Sequence, residues 1–412
     1  MTVEIICVGT ELLLGNIVNT NAAFLAEKCA ALGLSSYFQV VVGDNRERLV
    51  QTIRTAMERA DIVLLSGGLG PTGDDLTKEA AAEAFGRRLV EDETSRRQIE
   101  AYFAQRGITP TENNWKQALI PEGAKAIPNR NGTAPGIIME ENGKYAILLP
   151  GPPGELKPMF TDSVVPYLRT LEDEVIESVT VKVVDIGESR AETMVSDLME
   201  NQSNPTIAPY AKTGEVHFRI TARAAGSKEA QELIAPVAEE LKNRFGSHIY
   251  TMEEDVTLEK AVADLLAEKK WTIATAESCT GGLLAARLVN VPGVSEVFHA
   301  GFITYADEAK QNLIGVKEET LKQYGAVSSK TAEEMAVGAA KAAGADAAVS
   351  ITGIAGPDGG TKDKPVGLVY IGCYVDGKVR VEEYHFTGSR LKIRESVVAA
   401  ALVLLRNSII AQ

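Results

Sequence analysis

The chain has 412 residues, 45% hydrophobic and 24% charged, with 42 Lys and Arg against 56 Asp and Glu for a net charge of −14. That is the balance of a soluble globular protein of two to four domains at roughly 100–200 residues each. It excludes disorder, collagen-like repeats and small disulfide scaffolds, and the negative charge disfavours direct nucleic-acid binding. No run reaches about 18 uncharged apolar residues, so neither a spanning helix nor a membrane partner is expected. The opening stretch Met1–Glu11 lacks a basic n-region and reads as a first strand rather than a signal peptide. Cys7, Cys29, Cys279 and Cys373 form no CxxC and read as reduced core cysteines of a cytoplasmic protein. With four histidines and no paired Cys/His spacing, a zinc site of the usual kind is not expected, and any metal should take oxygen ligands.

Residues 1–170 alternate strand and helix signals. Val3–Val8, Tyr37–Val42, Asp61–Leu65 and Tyr145–Leu149 read as strands, Asn19–Leu32 and Arg46–Ala60 as helices, and the alternation predicts a parallel sheet covered on both faces. Residues 171–253 change rhythm. The strand Val179–Ile186, helix Ser189–Glu200, strands Thr206–Tyr210 and Glu215–Ala224, helix Lys228–Phe245 and strand His248–Thr251 make a small β-α-β-β-α-β unit. Residues 254–412 return to α/β. Helices are expected at Leu258–Lys269, Leu283–Val289, Ala306–Ile314, Ser329–Ala343 and Arg390–Asn407. Strands are expected at Thr272–Ala276, Ala300–Tyr305 and Ala347–Thr352, and a hairpin, Gly367–Val375 with Val379–Phe386, around Asp376-Gly377.

Three loops at strand ends carry the chemistry. Ala276-Glu-Ser-Cys-Thr-Gly-Gly282 sits at a strand-to-helix turn, where Ser278 stands beside backbone N–H groups that can stabilise an oxyanion. The plain alternative is that Ser278 or Thr280 only caps the helix. Cys279 is a rival nucleophile, because thiolates form readily at helix N-termini. A serine needs a base, and His299, His385 and Lys310 are the candidates in this segment. Lys310 qualifies only if shielded from water, where a lysine loses its proton more readily. The second loop, Thr352-Gly-Ile-Ala-Gly-Pro-Asp-Gly-Gly360, is glycine-rich enough to approach a phosphate or ribose, or is a flexible connection. The third, Ser66-Gly-Gly-Leu-Gly-Pro-Thr-Gly-Asp-Asp75, offers N–H groups to phosphates and two aspartates to a hard divalent ion, or to a helix dipole.

At these loops the sequence resembles the competence/damage-inducible protein A (CinA) family along its whole length. The N-terminal segment resembles the molybdopterin-binding fold through Val8-Gly-Thr-Glu-Leu-Leu13, Gly67-Gly-Leu-Gly-Pro-Thr72 with Asp74-Asp75, and Pro150-Gly-Pro-Pro153. The C-terminal segment resembles nicotinamide mononucleotide (NMN) deamidases through Ala276–Gly282, Gly301-Phe-Ile-Thr-Tyr305 with Lys310, and Thr352–Pro357 with Gly359-Gly360.

The resemblance implies an α/β fold of three parts: a molybdopterin-binding-like α/β/α domain, a small α+β KH-like domain and an α/β/α amidohydrolase domain. It implies NMN deamidation with Ser278 as nucleophile, Lys310 as base and Tyr305 positioning the pair, without a metal. Cys279, Thr280, Gly281, Gly282, Thr304, Thr352, Gly353, Gly356, Gly359 and Gly360 would surround the substrate. It further implies ADP-ribose pyrophosphatase activity with Mg, Mn or Co at the N-terminal site. Gly9, Thr10, Glu11, Gly67, Gly68, Gly70, Pro71, Thr72, Gly151 and Pro152 would hold the nucleotide there, and Asp74 and Asp75 the metal. An N-terminal pterin- or nucleotide-binding module without turnover, and a competence adaptor working through a protein partner, are the alternatives. A KH domain grips nucleic acid with a GXXG loop. None occurs in 171–253, where 8 Lys/Arg face 15 Asp/Glu, so that segment reads as a spacer or oligomerisation unit. The large apolar faces suggest a homodimer.

Overall fold

The computed structural model describes residues 1–171 and 174–412. The first sheet is built from β1 (Thr2–Val8), β2 (Ser35–Val42) and β3 (Ile62–Ser66), which are followed by the small pair β4 (Leu89–Glu91) and β5 (Leu119–Pro121). It is completed by β6 (Lys125–Ile127), β7 (Gly136–Glu141) and β8 (Lys144–Leu149), in the order β2-β1-β3-β8-β7-β6. The four strands β2, β1, β3 and β8 run parallel. β7 and β6 run antiparallel, so the sheet is mixed, not wholly parallel as the alternation predicts. The cause is local. Asn142 and Gly143 both take positive φ, 51° and 75°, and close a tight hairpin between β7 and β8. The Asn-Gly pair is legible in the sequence as a two-residue hairpin turn.

Side chains alternate between the two faces of this sheet. Ile6, Val8, Val63 and Leu65 meet the helix Arg46–Arg59 through Leu49, Val50 and Ile53. Ile5, Cys7, Ile62 and Leu64 meet the helix Thr20–Ala31 through Ala22, Leu25 and Cys29. Period-two burial on both faces makes an α/β/α layer sandwich.

The second sheet holds β9 (Val175–Val184), β10 (Thr206–Lys212), β11 (Glu215–Ala224) and β12 (Ile249–Thr251), ordered β10-β11-β9-β12. The helix expected over 189–200 is broken into Glu188–Thr193 and Ser196–Glu200. Helix Ser227–Phe245 brings Phe245 onto Phe218, rings stacked at 5.0 Å.

The third sheet is β13 (Ile273–Glu277), β14 (Phe298–Ile303), β15 (Ala347–Gly353), β16 (Leu368–Val375) and β17 (Lys378–His385), ordered β14-β13-β15-β16-β17. β14, β13 and β15 are parallel. The β16–β17 hairpin turns at Asp376 and Gly377, whose φ of 44° and 82° are what a two-residue hairpin turn needs. One face packs on helices Leu258–Lys269, Leu283–Val289 and Arg390–Ile410, the other on helices that include Ser329–Ala343. Helix Arg390–Ile410 buries eleven residues, Arg406 among them.

By contact, the chain forms two compact units: 1–177 with 222–232, and 178–221 with 233–412. Most of the middle segment therefore shares a unit with the third. Arg406 donates to the carbonyls of Ser247 (3.0 Å) and Ile249 (2.6 Å), and Lys182 Nζ to those of Glu254 (2.7 Å) and Val256 (2.8 Å). Arg287 pairs with Glu259 at 2.9 Å and reaches Glu215 at 3.3 Å. No helix among the described residues is long and apolar enough to cross a membrane.

Candidate active sites

In the third segment the loops after β13, β14 and β15 emerge side by side at the carboxyl ends of parallel strands, where α/β folds collect their ligands. Ser278 follows β13 directly, half-buried, with its N–H spent on the Ile351 carbonyl at 3.0 Å. The cap of the next helix is neither Ser278 nor Thr280. It is Glu277, whose carboxylate is 1% exposed and accepts N–H bonds from Gly282 (3.1 Å), Leu284 (3.0 Å) and Ala285 (2.8 Å). A buried charge so satisfied serves the helix N-terminus and leaves Ser278 free of that duty. It also occupies N–H groups that the sequence reading assigned to an oxyanion. Among the described residues, no carbonyl accepts the N–H groups of Cys279 and Thr280, and that of Cys279 lies against its own thiol.

Lys310 lies in the first turn of helix Asp307–Ile314 and is 1% exposed, so it is not a solvated helical lysine. Its Nζ donates to the carbonyls of Thr304 (3.0 Å) and Tyr305 (3.3 Å), with the exposed carboxylate of Asp307 at 3.6 Å. Burial lowers its pKa from the ordinary 10.5, against the opposing pull of Asp307. Two hydrogen bonds tie it to the nucleophile turn: the Thr304 N–H donates to the Glu277 carbonyl at 2.8 Å, and Lys310 donates to the Thr304 carbonyl. Tyr305 meets Lys310 through its main-chain carbonyl, while its phenol, 62% exposed, accepts from Arg390 at 3.3 Å.

Of the rival groups, Cys279 is buried and its thiol is pushed up to about 11, the opposite of an activated thiolate. His299 is exposed near the start of β14, away from the carboxyl edge, and His385 is exposed and bonded to Glu383 at 2.8 Å. Thr280 and Thr304 are fully buried, and among the described residues their hydroxyls have no partner. Thr352 spends its hydroxyl on the Ala326 carbonyl at 2.6 Å. The loop carrying Gly353, Gly356, Gly359 and Gly360 is pinned rather than slack: Arg390 donates to the Gly356 carbonyl at 2.6 Å, and Lys364 to those of Tyr324 and Val327, each at 2.7 Å. Arg394 donates to the Thr280 carbonyl at 2.6 Å. Sequence reasoning missed Glu277, Arg390 and Arg394. Glu277 lies inside the 276–282 motif, but nothing local in Arg390 or Arg394 signals partners 34 to 114 residues upstream.

In the first unit, the loops after β1, β3 and β8 enclose a cavity of about 610 Å³. Gly9, Glu11, Gly67, Gly68, Gly70, Pro71, Asp74, Asp75, Gly151 and Pro152 line it; Thr10 and Thr72 do not, and act from behind. Thr10 anchors Asp44 (2.9 and 2.8 Å), and the Thr72 N–H donates to Asp75 Oδ2 (3.0 Å). Thr72 also holds the Asp74 carboxyl below the usual range. Gly67 has φ 100°, and a side chain there would strike the Val8 carbonyl, so only glycine lets β3 turn this close to β1. Lining residues that sequence reasoning missed include Asn21, Asp44, Gln117 and Glu155. Asn21 Oδ1 and the 3%-exposed Gln117 Oε1 are buried without a partner among the described residues.

Three family models match in chain order: "Probable molybdopterin binding domain" over 4–170, "Damage-inducible protein CinA KH domain" over 178–251 and "CinA C-terminal domain" over 255–409. A competence-damage inducible protein of Clostridium acetobutylicum is 54% identical over 410 residues, covering 100% of both chains. A CinA-like protein of Dictyoglomus turgidum is 52% identical over the same length and coverage. The crystal structure of a competence/damage inducible protein from Agrobacterium tumefaciens is 41% identical, over 37% of this chain and 93% of that one, with a TM-score of 0.36.

Proposed function

The chain belongs to the CinA family of competence/damage-inducible proteins, and from that premise we propose that it is a two-site hydrolase of pyridine-nucleotide breakdown products. The third segment deamidates NMN to nicotinate mononucleotide and ammonia. The observation that carries this reading is Lys310, a fully buried lysine with lowered pKa, hydrogen-bonded into the loop that pairs with the Ser278 strand.

Ser278 Oγ attacks the carboxamide carbon as Lys310 takes its proton. The Cys279 and Thr280 N–H groups face the charge that develops on the amide oxygen. Lys310 then returns the proton to the departing ammonia, and water hydrolyses the seryl ester. Arg390 and Arg394 supply the positive charge that a nucleotide phosphate requires. Ammonia release from NMN by the purified full chain without added metal, beside Ser278→Ala and Lys310→Ala, tests this. Activity lost in both variants is the expected result, and an inactive wild type overturns it.

The first unit cleaves ADP-ribose at its pyrophosphate, and its cavity fits a divalent ion. The donors are hard carboxylate oxygens, and no His or Cys lines the wall. Among the described residues no three such groups converge, so an ion here would be held by the Asp74 and Asp75 carboxylates alone and completed by ligand phosphates and water. That ion would neutralise phosphate charge. The Gly67, Gly68 and Gly70 loop brings its backbone close to the phosphates. The missing third protein ligand also favours a second reading, a nucleotide- or pterin-binding module without turnover. Metal-dependent release of AMP from ADP-ribose separates the two.

A further inference from the structure

We propose that Glu155 is the catalytic base of the N-terminal cavity, accepting the proton of the water that attacks the pyrophosphate. This rests on the pyrophosphatase reading given above. Five carboxylates line the cavity, Glu11, Asp44, Asp74, Asp75 and Glu155, and their surroundings divide the work among them. Asp44 Oδ2 is engaged by both the N–H and the hydroxyl of Thr10. Asp75 Oδ2 accepts the Thr72 N–H, and Asp74 is held low, which suits an anion that binds a cation and not one that binds a proton. Glu11 is exposed at the rim.

Glu155 differs from all four. It is half-buried just beyond β8, at the flank of the Asp74–Asp75 loop, because β8 neighbours β3. Asn129 Nδ2 donates to its Oε2 at 2.7 Å and ties the same loop back to the Ala134 carbonyl at 2.8 Å. Gly132 closes over that oxygen so tightly that any side chain there would strike the carboxylate. The same loop bonds the adjoining main chain, Asn131 Nδ2 donating to the Gly154 carbonyl at 2.8 Å, so the group is held in one place. Burial raises its pKa above the ordinary 4.5, in spite of the Asn129 bond. A stronger proton acceptor at neutral pH is what a base needs. The charged groups around it are Arg130 and Asp162, which share a small pocket with it, and the four other carboxylates along the cavity.

The step balances simply. The water oxygen bonds to one phosphorus as the bridging P–O bond breaks, and one water proton passes to the Glu155 carboxylate. The electron pair of the broken bond leaves on the bridging oxygen, giving AMP and ribose 5-phosphate, and Glu155 then yields its proton to solvent.

The test compares wild type, Glu155→Gln and Glu155→Asp in full-length protein, with ADP-ribose and added Mg²⁺ or Mn²⁺. Glu155→Gln should lose roughly 10²–10⁴-fold in kcat with KM within about threefold. The acid limb of the wild-type pH–kcat profile should vanish in Glu155→Gln, and Glu155→Asp should recover part of the rate. A calorimetric transition of the first unit unchanged from wild type certifies the fold of each variant. Wild-type cleavage that survives in Glu155→Gln, or a loss confined to KM, overturns the base assignment alone. Absence of cleavage in wild type overturns the pyrophosphatase reading and the base with it.

Discussion

Replacing Glu277 by glutamine isolates what one buried charge does for the nucleophile turn. The carboxylate accepts three N–H groups, two on Oε2 and one on Oε1. A glutamine placed with its oxygen at the Oε2 position keeps the bonds from Gly282 and Leu284. Its NH₂ then faces the Ala285 N–H, donor against donor. Leaving one buried donor unsatisfied costs about 1–3 kcal/mol, and losing the charge at a helix N-terminus costs up to about 2 kcal/mol more. The sum, about 1–5 kcal/mol, is a large part of the stability of a domain this size. At about 2–4 °C per kcal/mol, the transition of the unit containing 233–412 should fall by roughly 2–20 °C. Calorimetry on the full chain resolves that transition. Because Ser278 follows Glu277 directly, NMN deamidation should fall as well, at temperatures where the variant is still folded. A melting midpoint unchanged within about 1 °C, with full activity, would refute the claim that this carboxylate organises the turn.

Other consequences are equally checkable. Lys310→Met should abolish deamidation yet match or exceed the wild type in thermal stability at pH 7, because it removes a buried cation. The folded pKa of Lys310 is depressed, so the unfolded chain binds more protons between that value and 10.5 and the wild type gains stability as pH rises through that window. The advantage of the variant should therefore shrink toward pH 10.5, and a constant gap would contradict the assignment. For the same reason the deamidation rate should climb with pH up to the lowered pKa of Lys310. Arg390→Ala with Arg394→Ala should raise KM for NMN by about 10–100-fold, while leaving the phosphate-free riboside unaffected; equal effects on both would remove the phosphate role. Chelation of divalent ions should stop ADP-ribose cleavage and spare ammonia release from NMN. All four cysteines are buried, with Cys29 and Cys373 pushed to about 12 and Cys279 to about 11. Thiol reagents at pH 7.5 should therefore label the native protein slowly and the unfolded chain at all four positions, and rapid native labelling would show the burial to be wrong.

What the sequence determined by itself is what local pattern encodes. Helices Leu258–Lys269, Leu283–Val289 and Ser329–Ala343 have the bounds their periodicity predicts, and Asp376-Gly377 makes the hairpin that its need for positive φ announces. Strand ends rich in glycine marked the loops that the fold then gathers at two sheet edges. The β6 and β7 strands escaped because they are short and lack a long apolar run, although Asn142-Gly143 stood between β7 and β8. Only tertiary structure decided the rest, since burial and partnership depend on what arrives from elsewhere in the chain. A lysine one turn into a helix reads the same whether solvated or buried, and Lys310 is buried because the 304–305 loop closes around it. Ser278 and Thr280 are the caps the sequence offers, and three N–H distances give the role to Glu277 instead. Arg394 reaches the nucleophile turn, and Arg390 the loops carrying Tyr305 and Gly356, because the last helix packs across the third sheet; Glu155 meets Asn129 because β8, β7 and β6 are neighbours in one sheet. Such long-range neighbours leave no periodicity in the sequence, because the packing of whole elements brings them together and local propensity does not.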